Sequence, residues 1–132
     1  MRIARSMLDR IVGQARAEAP NECCGIVGTR GGRAVTLYPL RNAAASPLRY
    51  EIDPREQLRT FEALDEAGLE AGIIYHSHTR SAPEPSQTDI NLAFYPDAIY
   101  LIVGVAQEQD DVRAWRIADG SVSEAAMAVE ED

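Results

Sequence analysis

Both histidines of this 132-residue chain fall in one tripeptide, His76-Ser77-His78, at the end of the apolar run Ile73-Ile74-Tyr75. In a strand, residues at i and i+2 share a face, with Cα atoms ~6.5–7 Å apart. From that spacing two imidazoles can converge on one metal ion at ~2.0–2.1 Å, while Ser77 turns to the opposite face. After seven intervening residues comes Ser86 and, after two more, Asp89, giving His-x-His-x7-Ser-x-x-Asp. Alone, Ser86-x-x-Asp89 reads as a capping-box variant, serine at the N-cap and an acid in the first turn. An acid at that point can also be a third metal ligand. Two histidines and one carboxylate leave the fourth tetrahedral position to water, the arrangement of a catalytic rather than a structural zinc.

Water activated in this way needs a proton acceptor, and three acids compete for the role. Glu84 lies between Pro83 and Pro85, which hold the backbone extended; Glu51 lies in a predicted strand; Glu22 follows a helix stop and precedes Cys23-Cys24-Gly25. Spacing and chemistry alone leave the three open. The cysteines offer a rival chemistry, since Cys23 or Cys24 with His76 could form a nucleophilic thiol–imidazole pair. Adjacent cysteines entering a strand are more often small packing residues, one to each face, and a thiol mechanism leaves His-x-His and Asp89 unexplained.

The elements that must position these residues read as helices alternating with strands. Met7, Leu8, Ile11, Val12 and Ala15 predict an amphipathic helix over 6–19 with Ser6 as its N-cap, stopped by Pro20 and Asn21. Cys24–Thr29, a Gly31-Gly32 turn and Ala34–Tyr38 predict a hairpin, and a short strand is expected at Tyr50–Ile52. Asp53-Pro54 with Glu56 starts a second helix, with Leu58, Phe61 and Leu64 as its buried stripe. Gly72–His78 is a buried strand, and Ser86 or Gln87 opens a third helix ending near Pro96. Ala98–Val105, Val112–Ile117 and Val122–Val129 then close the sheet as hairpins. The fold class expected is α/β, a mixed β-sheet flanked by helices.

Composition narrows the function further. At 45% hydrophobic and 26% charged, the chain suits one globular domain spanning 1–132, with no repeat or linker. A formal charge of −8 argues against a nucleic-acid partner. All 13 basic residues are arginine, which removes Schiff-base chemistry and a P-loop lysine. The longest uncharged apolar run, Ala98–Ala106, is far shorter than the ~20 residues of a membrane-spanning helix, and no signal-peptide core is present. Two neighbouring cysteines cannot build a disulfide framework, so a cytoplasmic location is expected.

Taken together, Glu22-x-Cys24-Gly25 and His76-Ser77-His78-x7-Ser86-x-x-Asp89 resemble the JAMM motif of the MPN+ metalloproteases. The likeness runs from the first helix to about Ile117. The short length, Pro-Asn-Glu-Cys-Cys-Gly and Tyr75-His76-Ser77-His78-Thr79 are most similar to prokaryotic members, including enzymes that remove cysteine from the C-terminus of a sulfur-carrier protein. The resemblance implies one zinc ion per chain, with His76, His78 and Asp89 as ligands, Glu22 as general base and Ser86 as a hydroxyl steadying the water or the oxyanion. It implies a sandwich shared with cytidine deaminases, although the deaminase His-x-Glu is absent because position 78 is histidine. The implied activity is hydrolysis of an amide at the Gly-Gly tail of a ubiquitin-like or sulfur-carrier protein, with cysteine as one candidate leaving group. A homodimer is compatible with this reading. A non-catalytic MPN scaffold is the first alternative and a Cys-His thiol hydrolase the second.

Overall fold

A computed structural model describes residues 1–132. Its elements are β1 (Arg2–Ala4), α1 (Arg5–Glu18), β2 (Cys24–Arg30), β3 (Arg33–Leu40), α2 (Pro54–Ala67), β4 (Glu70–His78), α3 (Gln87–Asn91), β5 (Ile99–Gly104), β6 (Asp111–Ala118), β7 (Ser121–Glu124) and β8 (Ala128–Glu130). The strands form one mixed sheet in the order β7-β6-β5-β4-β2-β3-β1-β8. This is the mixed sheet with flanking helices that the alternation of elements predicts.

The strand β4 lies between β2, antiparallel, and β5, parallel, so both its edges are paired. Ile73 and Tyr75 face a core built with Leu8, Ile11 and Ala15 of α1. Ile74 faces the other side, where Tyr100, Ile102, Trp115 and Ile117 pack together. Beside them on that side, Cys24, Ile26, Leu40 and Leu64 join α2 to β2. The period-2 alternation of β4 therefore sends His76 and His78 to the α2 and α3 side. Ser77 goes to the α1 side, where its hydroxyl accepts from Cys23 N–H at 2.8 Å.

One close approach and the hydrogen bonds beside it fix the neighbourhood of the site. The Tyr75 ring crosses Gly25, its cross-strand partner, where an added Cβ would stand 2.2 Å from the ring. The Tyr75 hydroxyl then donates to Gln14 Oε1 at 2.5 Å, and Gln14 Nε2 donates to the Cys24 carbonyl at 3.0 Å, tying α1 to β2. The helix α2 begins as expected: Asp53 accepts from Arg55 N and Glu56 N, and Gly68 ends the helix in the left-handed region at φ 67°.

Several local expectations are corrected. Residues 2–4 form a strand, so α1 is capped at Ala4 and Ser6 lies inside the first turn, bonded to Asp132. Leu64 packs against Gly28, which turns α2 so that Thr60 and Leu64 are buried and Leu58 is 61% exposed. Only one bridge, Asn42 to Ile52, forms where a strand was expected around Tyr50. The helix α3 stops at Asn91, and the Tyr95 N–H bonds the Tyr100 hydroxyl instead of continuing a helical ladder. Residues 122–129 form two strands at opposite sheet edges, with β8 parallel to β1. The acidic end is therefore engaged: Glu130 pairs with Arg33 and Glu131 with Arg5.

Candidate functional site

Asp89 reaches the two histidines because β4 ends at His78, an irregular loop follows, and α3 starts at Gln87 under a complete capping box. Ser86 Oγ accepts from Asp89 N–H at 3.0 Å, and Asp89 Oδ2 accepts from Ser86 N–H at 3.0 Å. The same Oδ2 lies 2.9 Å from His78 Nε2 and 3.2 Å from His76 Nε2, and the two Nε2 atoms are 3.2 Å apart. Both readings of Ser86-x-x-Asp89 thus meet in one carboxylate, which caps a helix and faces two imidazoles. All three side chains are buried.

This donor set fits a small tetrahedral cation. Ligands ~2.0–2.1 Å from one ion in tetrahedral array lie about 3.3 Å apart, close to the separations found here. His78 Nδ1 lies 2.8 Å from the Ala82 carbonyl, to which it donates; in the neutral ring Nε2 is then a bare lone pair aimed at the group. His76 is stacked under Tyr50, ring centroids 4.4 Å apart and planes at 21°. One carboxylate oxygen and two ring nitrogens crowded this closely call for a shared positive charge.

Electrostatics without a metal shows what that charge is worth. Burial alone would raise the Asp89 carboxyl, but the hydrogen bonds and charges of His76 and His78 outweigh it and hold it well below the usual carboxylate range. Burial pushes the His76 imidazole down, against the pull of Asp89. For His78 burial acts in the same downward sense, yet Asp89, the Ala82 carbonyl and Glu22 together carry it above its ordinary value.

Among the three competing acids the structure separates Glu22. Continuing the β2–β4 register from Cys24 opposite His76 sets Glu22 opposite His78, on the same face of the sheet. It is buried, and its Oε1 has no hydrogen-bond partner. Burial pushes its carboxyl up to about 8, the positive charge of His78 opposing and the negative charge of Asp89 adding. Its backbone is tied down on both sides: N–H donates to the Ser46 carbonyl at 2.9 Å, and C=O accepts from Asn42 Nδ2 at 2.9 Å. Glu84 instead faces solvent and pairs with Arg113 at 2.8 Å, and Glu51 is exposed near Arg49.

Cys23 and Cys24 are buried on opposite faces of the sheet, Cys23 against α1 and Cys24 against α2. Burial pushes both thiols up to about 12. Both are enclosed by core side chains, the packing environment expected of adjacent cysteines at a strand entry, and burial disfavours their thiolates.

Residues that sequence spacing did not single out complete the surroundings. Buried Asn42 satisfies all its polar atoms, binding Glu22, Ala44, Arg49 and Glu51 backbone groups, and so shapes the segment that carries Tyr50. Beyond Tyr50 lies an apolar cavity of about 250 Å³, with Ile52, Ile74, Phe94, Tyr95 and Tyr100 among its walls. No helix is long and apolar enough to cross a membrane.

The chain is similar to known proteins over nearly its whole length. Residues 4–118 match the family of prokaryotic homologs of the JAB domain. The chain is 37% identical over 132 residues to a CysO-cysteine peptidase of Mycobacterium tuberculosis, covering 98% of this chain and 90% of that protein. It is 41% identical over 107 residues to a desampylase of Haloferax volcanii, covering 76% of this chain and 77% of the relative. A solution structure of a Desulfitobacterium hafniense protein superposes with a TM-score of 0.89 at 30% identity, covering 100% of this chain and 94% of the other. A JAB1/MPN domain protein from Archaeoglobus fulgidus shares the fold, with a TM-score of 0.66 at 19% identity over 98% of each chain. By sequence over most of its length and by fold throughout, the chain belongs to the prokaryotic JAB-domain family.

Proposed function

We propose that the chain is a zinc-dependent peptidase that hydrolyses an amide bond at the C-terminal tail of a ubiquitin-like or sulfur-carrier protein. The observation that carries this reading is the convergence of His76 Nε2, His78 Nε2 and Asp89 Oδ2 within 3.2 Å of one another, on the face that also holds the unpartnered carboxyl oxygen of Glu22. Support comes from the names of its relatives, among them a CysO-cysteine peptidase, a desampylase and a probable TtuB-protein conjugate cleaving protease of Thermus thermophilus.

His76, His78 and Asp89 would hold the ion, one per chain. Zinc bound there supplies Lewis acidity toward a scissile carbonyl and toward water. Glu22 takes the proton from the attacking water and returns it to the departing amine, so that water adds across the amide to give a carboxylate and a free amine. Ser86 accepts from Asp89 N–H through its oxygen, and its hydroxyl hydrogen is free of that bond, available to the developing oxyanion. The apolar cavity beyond Tyr50 offers a wall for the carrier tail, with a Gly-Gly terminus slim enough to reach the buried donors.

The direct test is mass spectrometry of a small carrier protein ending Gly-Gly-Cys, before and after incubation with zinc-loaded enzyme. Loss of the terminal cysteine, abolished by a chelator and unaffected by iodoacetamide, is the expected result. Activity that survives chelation but not alkylation would overturn the metal reading.

Ser86 has a second, separable prediction. A purely capping serine replaced by alanine costs about 1 kcal/mol of stability and leaves turnover of the folded enzyme unchanged. If its hydroxyl also serves the oxyanion, Ser86→Ala lowers kcat by ~10² or more with a modest change in KM. Ser86→Gly, which still caps, is expected to recover stability and not rate. Rate recovering together with stability would make the serine structural.

A further inference from the structure

We propose that the loop between His78 and Asp89 is clamped from outside the site by β6, with Trp115 as a positioning residue for the metal donors. This rests on the metal reading above. The loop, residues 79–86, carries two groups on which the donors depend. The Ala82 carbonyl fixes the tautomer of His78, and the Ser86 N–H holds Asp89 Oδ2. Its own regular bonding is slight: one turn, Glu84 N–H to the Ala82 carbonyl at 2.8 Å. Something else must keep Ala82 in place.

That support converges on the two residues after Ala82. The indole N–H of buried Trp115 donates to the Pro83 carbonyl at 2.9 Å. The Arg113 guanidinium sits 4.7 Å over the Trp115 ring, donates to Glu84 Oε1 at 2.8 Å, and forks onto Glu124 of β7 at 2.9 and 3.0 Å. On the same face of the sheet, the Pro83 ring rests on Gly104 at the end of β5, where a Cβ would stand 2.9 Å from Pro83 Cδ. Pro83 is thus seated against Gly104 and tied by its carbonyl to Trp115, directly beside the carbonyl that orients His78. The Arg113 ion pairs lie near the surface and add little to stability by themselves. Their geometry instead orders one end of a loop that contains two metal-donor supports.

The test measures zinc affinity of the purified chain by competition with a chromophoric chelator, alongside thermal unfolding of the chelated protein. Trp115→Phe keeps an aromatic ring and removes the N–H, and should loosen zinc by up to ~10-fold, the low end of the effect of a partner bonded directly to a metal ligand, because Trp115 acts one link further back through Pro83 and Ala82. Gly104→Ala displaces the Pro83 ring at a second point of contact and should act in the same direction without altering Trp115. Ile117→Val, in the same core cluster but away from the loop, should lower the Tm and leave zinc affinity unchanged. The visible bands of the cobalt-substituted protein should shift in Trp115→Phe and Gly104→Ala and stay fixed in Ile117→Val. Trp115→Phe and Gly104→Ala matching the wild type in zinc affinity and cobalt spectrum would overturn the clamp alone. A wild type that takes up no zinc would overturn the metal reading and the clamp with it. Should Trp115→Phe fail to fold, Gly104→Ala decides.

Discussion

Glu22→Gln is expected to keep its zinc and lose turnover by ~10²–10⁴-fold, because glutamine preserves shape and hydrogen bonding but cannot accept a proton. The same change should stabilise the chelated protein, with a pH dependence that identifies the cause. In the unfolded chain this carboxyl titrates near its ordinary 4.5; in the folded chain burial pushes it up to about 8. Between those values the folded state holds a proton that the unfolded state releases, so stability falls as pH rises through the window, and the cost is complete above about 8. Glutamine has no such proton to lose. The Tm of Glu22→Gln minus that of wild type, both chelated, should therefore be near zero at pH 4 and grow steadily to pH 8. A difference that does not vary with pH would mean that Glu22 is not the strained acid the fold makes of it. A near-normal rate in the zinc-loaded variant would move the base elsewhere, with Glu84→Gln and Glu51→Gln as the comparisons. Both results together would identify in Glu22 a trade of stability for activity, a buried acid held opposite His78.

Glu22 also marks where residue spacing and chemistry stop being legible, since only the family resemblance singled it out. His76, His78 and Asp89 can be read from spacing because their convergence is built locally: strand alternation aligns the histidines, and a capping box orients the aspartate. Choosing Glu22 over Glu51 and Glu84 requires the register of β2 on β4, a pairing across some fifty intervening residues that no local pattern encodes. Tyr50 escapes for a related reason. It lies in irregular chain whose path is set by Asn42, and nothing in its own neighbourhood announces that it will cover His76. The first helix was placed but its cap was not, because β1 exists only through partners in β3 and β8, the latter at the far end of the chain. Trp115 and Gly104 read simply as parts of predicted strands. Their contact with Pro83 appears only once β5 and β6 are laid beside the β4 loop.

Asp89→Asn is expected to lose the metal outright, since it removes the one anionic ligand of three, and with it all activity. Elemental analysis of freshly purified protein should find essentially no zinc in the variant and about one ion per chain in the wild type. Metal loss alone does not distinguish a ligand from a fold-breaking change, but the chelated proteins do. There the wild type keeps an Asp89–His78 ion pair that the variant lacks. The aspartate's contribution, its folded pKa held down, is present above the ordinary 3.8 and lost as pH falls through the depressed value. The histidine's contribution, its folded pKa raised, is present below the ordinary 6.5 and lost as pH rises through the raised value. Both conditions hold together between about pH 4 and 6.5, so the Tm penalty of Asp89→Asn should be largest there and shrink on the alkaline side. The asparagine oxygen can still accept from Ser86 N–H, which removes the helix cap from the comparison. A Tm penalty that is constant with pH, or an Asp89→Asn protein that purifies with a full zinc ion, would show that this carboxylate caps a helix and does no more.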